Sequence, residues 1–82
     1  MTNSHEKKNI FHVPLTVAHI DEQADPAYAE VIFLQSTRIY RLLKTHPDYG
    51  SLLRSLKSSL EHKGPMKVEC DYVNDNVIVG LE

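Results

Sequence analysis

Histidine is the side chain best suited to metal ligation or proton transfer near neutral pH. This 82-residue sequence has five, and His5, His12 and His19 recur at intervals of seven. Such an interval stacks side chains on one face of a helix, but on a strand it sends His12 and His19 to opposite faces. No cysteine or carboxylate stands at a ligand spacing beside them, so no metal site is expected. Asp21, Glu22 and Asp25 form an acidic group without the twelve-residue calcium-loop pattern or its central glycine. Glycine occurs only at Gly50, Gly64 and Gly80, in no phosphate-cradling arrangement, and no G-x-S-x-G nucleophile motif is present. Cys70 is the single cysteine, so no internal disulfide can form. It falls on the apolar face of a strand pattern, where a thiol is inert. The expectation is a protein that is not an enzyme, with no catalytic residues, no cofactor and no metal.

Apolar residues at 41% and charged residues at 24% describe an ordinary globular chain. Its length suits one domain, 10–82, preceded by a polar flexible tail, 1–9. The net charge of −2 is too small to imply a class of partner. The charge is unevenly placed, however: Arg38, Arg41, Lys44, Arg54, Lys57, Lys63 and Lys67 face only Asp48 and Glu61 between residues 38 and 67. The longest run of large apolar residues, Val31 to Leu34, is too short for a membrane span. Lys7 and Lys8 precede an apolar stretch that His12, Pro14 and His19 interrupt, which is a poor secretory signal. With the lone cysteine, this predicts a cytoplasmic protein.

The elements that would position these residues read as β-α-α-β-β: an α+β fold with one three-stranded antiparallel sheet, a C-terminal hairpin, and two helices packed on one face. Residues Ile10 to Ile20 alternate like a strand, with Phe11, Val13, Leu15 and Val17 on one face and Pro14 marking an edge or a start. Asp25–Pro26 is a helix-start signal, and the first helix is predicted to run from there to about Thr45, before Pro47. Its main stripe is Tyr28, Val31, Ile32, Ile39, Leu42 and Leu43, with Gln35 inside it. A second strip holds Ala29, Phe33 and Tyr40.

A second helix over 48–62 follows from Tyr49, Leu52, Leu53, Leu56 and Leu60 at helical spacing. Asp48 suits its start, and Gly64 suits a left-handed cap before Pro65. In the closing hairpin, a turn at Asn74–Asp75 pairs Tyr72 with Val77, Cys70 with Val79 and Val68 with Leu81, leaving Lys67 opposite Glu82.

Two functions are compatible with these elements. The first is a non-catalytic interaction or accessory protein that binds a protein partner or itself, using Phe33 and Tyr40 on the second strip and Gln35 within the first. The second is nucleic-acid binding. The segment Leu52–Glu82, a helix closed by Leu-Glu-His-Lys-Gly before two strands, resembles a winged-helix recognition helix followed by its wing. That resemblance implies that Ser51, Arg54, Ser55, Lys57 and Ser58 would face the groove. The hairpin carries Glu69, Asp71 and Asp75 where phosphate would approach, which favours the first function.

Overall fold

Between Asp25 and Leu43 the chain alternates rather than spirals. In the structure, a computed structural model that describes residues 10–81 with side chains from residue 14 onward, this region is strand. The elements in order are β1 (Ile10–Leu15), β2 (Val17–Asp25), β3 (Tyr28–Phe33), β4 (Ile39–Leu43), α1 (Tyr49–His62), β5 (Met66–Cys70) and β6 (Ile78–Leu81). Over the described residues the fold is therefore α+β with two antiparallel three-stranded sheets, β1-β5-β6 and β2-β3-β4, and one helix. This corrects the expected β-α-α-β-β order and single sheet. Residues 1–9, with His5 and the expected tail, lie outside the described residues.

The first predicted helix fails because Asp-Pro starts turns as readily as helices. Asp25 Oδ1 accepts the Ala27 N–H at 2.8 Å, and Asp25 pairs with Tyr28 across the two-residue turn Pro26–Ala27. Val31, Ile32, Phe33, Ile39 and Tyr40 are β-branched or aromatic and favour the pleated strand. Their period is two: Ala29, Val31 and Phe33, then Tyr40 and Leu42, are buried, while the intervening residues face outward. The buried set draws on both supposed helical strips.

The N-terminal strand bends at Thr16. Leu15, Thr16 and Val17 are all buried, so the inward alternation of one sheet hands over to the other. β1 pairs with β5 and β2 with β3, and the β1 register is irregular between His12 and Leu15, around Pro14, which has no N–H to donate. The far seam is closed by β4 and β6. The Arg41 N–H donates to the Asn76 carbonyl at 2.7 Å, and Arg41 and Val77 form a parallel bridge. The strands thus follow one another around a single core, to which both sheets and α1 contribute. Phe33 and Tyr40 meet edge-to-face in it, with centroids 5.1 Å apart.

Helix α1 matches its predicted span, and Asp48 holds the cap position, although its side chain makes no capping bond. Leu56 is buried, Tyr49, Leu52 and Leu53 pack against the core, and Leu60 is exposed. Ser59 takes the inner place instead. Its hydroxyl accepts the Val17 N–H at 3.2 Å and donates to the Gly64 carbonyl at 2.7 Å, so burial leaves it satisfied. The left-handed cap is Lys63, at φ 55°, not Gly64.

The hairpin keeps Val68 opposite Leu81, but Cys70 faces Ile78 and Val79 is a bulge between Ile78 and Gly80. A tight turn at Asn74–Asp75 would need positive φ at both residues, and neither has it. A wider loop forms, closed by the Asp71 N–H on the Val77 carbonyl at 2.9 Å, and Asp71 Oδ2 accepts the Asn74 N–H at 3.0 Å. Tyr72 does not pair with Val77, and Glu82 lies outside the described residues.

Candidate functional site

Phe33 and Tyr40 are 1% and 2% exposed, so they belong to the core and not to a surface. Gln35 spans the loop between β3 and β4 and holds the bend: its Oε1 accepts the Thr16 N–H at 2.7 Å and its Nε2 donates to Thr16 Oγ1 at 3.1 Å. Ser51, Arg54, Ser55, Lys57 and Ser58 are exposed on α1, but Lys57 pairs with Glu22 of β2 at 2.7 Å. The helix pair required by a winged helix is absent among the described residues, because residues 28–33 and 39–43 are strands.

Cys70 is fully buried, and burial pushes its thiol up to about 11, so it stays protonated and unreactive. The acidic group is spent locally. Asp21 Oδ1 accepts the Gln23 N–H at 3.0 Å, Asp25 forms its turn, and Glu22 holds Lys57. Among the described residues no three His, Cys, Asp or Glu side chains converge on a metal position.

A cleft of about 360 Å³ opens at the end of α1, beside Ser55, Ser58, His62 and Met66. His62 Nδ1 lies 3.4 Å from Ser58 Oγ, and its Nε2 lies 4.0 Å from Glu61 Oε1, which superficially orders a serine, a histidine and an acid. The same Nδ1 is 3.1 Å from the Ser58 carbonyl. To bond that oxygen Nδ1 must carry the proton, and then it has no lone pair for the hydroxyl. The three groups are exposed and form no activated nucleophile.

A different surface emerges from the alternation of β3 and β4. Residues opposite one another across a strand pair share a face, so the outer face carries three rows: Ile32 beside Ile39, Glu30 beside Arg41, and Tyr28 beside Leu43. β2 extends these rows with His19, Asp21 and Asp25. Ile39 is 49% exposed and Leu43 36%. The Arg41 guanidinium lies over the Tyr28 ring, 4.9 Å from its centroid. Neither Arg41 nor Glu30 is in an ion pair among the described residues. The 71–77 loop borders β4, anchored by the Asn76 contact and by the two-pronged Arg38–Asp75 pair, and it carries exposed Tyr72 and Val73.

The loop leading from β4 into α1 is fixed by His46, whose Nδ1 accepts the Asp48 N–H at 2.9 Å while its Nε2–H donates to the bulged Val79 carbonyl at 3.1 Å. A neutral ring with the proton on Nε2 satisfies both bonds.

Sequence reasoning missed Tyr28, Ile32, Ile39, Arg41 and Leu43 as a surface because it assigned them to a helix. The β-branched and aromatic content of Tyr28–Phe33 and Ile39–Leu43 was the available signal. No protein-family model, curated protein or solved structure matches the chain.

Proposed function

We propose that this chain is a non-catalytic protein-binding module of the cytoplasm, and that it docks through the outer face of β3 and β4. One observation carries the reading: Ile39 and Leu43 stand exposed on either side of Arg41, which is stacked on Tyr28, and no element among the described residues covers them. Tyr and Arg are the residue types that dominate protein interfaces, and a desolvated aliphatic surround strengthens them. The topology supports the same surface. With β1 and β2 counted as one bent strand, five strands and a helix follow the order of a partly open Greek-key barrel of the OB type, whose second and third strands form the binding face. Those strands correspond to β3 and β4. The buried, disulfide-free Cys70 supports a reducing compartment.

A protein suits this face better than a nucleic acid, because Arg41 shares it with Glu30, Asp21 and Asp25 and no cationic track for phosphates results. A photo-crosslinking residue at position 39, compared with one at position 54 on α1, tests the reading in host cells. Protein adducts from position 39 and none from position 54 are expected. Equal adducts from both, or none from position 39, would overturn it. So would binding of a thymidine oligonucleotide with amide shifts confined to α1.

A further inference from the structure

We propose that the occupant of this face is a second copy of the chain, placed by a two-fold axis that runs along the strands between β3 and β4. The inference rests on the reading of β3–β4 as a docking face and adds what docks there.

Two identical faces can stack only if the pattern is complementary to itself. An axis crossing the strands at the middle row sets Arg41 over Arg41 and Glu30 over Glu30, and an axis along either strand opposes one of those like pairs. An axis along the strands, midway between β3 and β4, exchanges the two strands row by row. Arg41 then lies over the Glu30 of the other copy and Glu30 over its Arg41, while Ile39 meets Ile32 and Leu43 meets Tyr28. Every apolar residue meets an apolar one, and both charges, which are in no ion pair among the described residues, gain one. Stacked sheets sit about 10 Å apart, a gap that Arg and Glu side chains reaching from opposite sides can close.

The size of the face sets the strength. Two strands about 4.8 Å apart with a rise of about 3.4 Å per residue present a footprint of only a few hundred Å². That falls below the roughly 800 Å² per partner of a standard interface, even with exposed Leu34 at the end of β3. The dimer is accordingly a weak, exchanging one, with Kd of roughly 10–100 μM.

Sedimentation equilibrium of the full chain from about 5 μM to about 1 mM spans that range. The wild type is expected to shift from monomer to dimer mass. Arg41→Glu and Glu30→Arg each place like charges across the axis and should weaken self-association at least about tenfold. An equimolar mixture of the two variants restores both opposite-charge contacts and should form a heterodimer, which a merely structural effect of either substitution would not produce. Circular dichroism confirms that each variant is folded, and Ile39→Ser supplies a second, uncharged disruption. A wild type that stays monomeric at about 1 mM, or a mixture no heavier than its components, would overturn the proposal. If the wild type is monomeric while position 39 crosslinks to a different protein, the dimer fails and the docking face stands. If position 39 crosslinks to nothing, the docking reading fails with it.

Discussion

Phe33 and Ile32 are neighbours in sequence, as are Tyr40 and Ile39, yet each pair is divided between two environments. The inner residues are almost fully enclosed, and the outer ones keep substantial contact with water. The same two strands therefore hold two rows of large side chains with different consequences. Deleting an inner side chain leaves a cavity in a packed core, whereas trimming an outer one removes surface that the isolated chain uses little. What the inner row contributes is stability, and what the outer row contributes is a surface for something else.

The strongest way to sharpen that division is Phe33→Ala, which should lower unfolding free energy by about 3–5 kcal/mol in a denaturant titration. A result under 1 kcal/mol would mean that Phe33 is not enclosed. Cys70 tests the inner environment through pH. Its thiol ionises near the ordinary value of about 9 in the unfolded chain and only at about 11 when folded. Between those values the unfolded state has lost a proton that the folded state keeps, so the contribution is complete below about pH 9 and is lost as pH rises to about 11. Relative to Cys70→Ala, the wild type should lose about 2 kcal/mol over that window.

Gln35 belongs to neither row. Gln35→Ala strands the buried Thr16 amide and should cost about 1–2 kcal/mol, without changing self-association. A loss of association at unchanged stability would return Gln35 to the interface. Smaller still, Lys63→Gly removes a side chain from a left-handed position and should raise stability by about 0.5–1 kcal/mol. Ile39→Ser, at the outer row, should move the unfolding free energy of dilute monomer by no more than about 0.5 kcal/mol. A larger loss would erase the contrast between the rows.

The parts of the fold legible in the sequence were those with one dominant signal. Helix α1 carries an uninterrupted i, i+3, i+4 pattern between Asp48 and Gly64, and its span is as expected. The pairing of Val68 with Leu81 followed from alternation. Residues 28–43 were not legible as a helix or as strands by periodicity alone, because ten apolar positions in sixteen residues satisfy either period once Gln35 is allowed into a stripe. What decides is partnership: β3 is stabilised by β2 and β4 on both sides, and tertiary pairing overrides a local pattern. The candidate face was hidden for the same reason, since a surface made by three strands exists only once their register is known. Lys63 taking the cap in place of Gly64 is a smaller case, in which the Gly64 N–H is needed one residue later to reach the Ser59 carbonyl.

The bend at Thr16 has a consequence for how the chain acquires its shape. β2, β3 and β4 are joined by short turns and can zip together from local contacts, but β1 must wait for β5, since Ile10 pairs with Cys70 near the other end of the sequence. Closing so long a loop is slow, and topologies dominated by distant pairings fold on the millisecond-to-second scale. As the chain leaves the ribosome, the meander can assemble while β1 still lacks its hydrogen-bonding partner, an open edge of the kind that chaperones and aggregates compete for. The Gln35 latch sits at the junction of these two stages, where the half that folds early can hold in place the strand that is completed last.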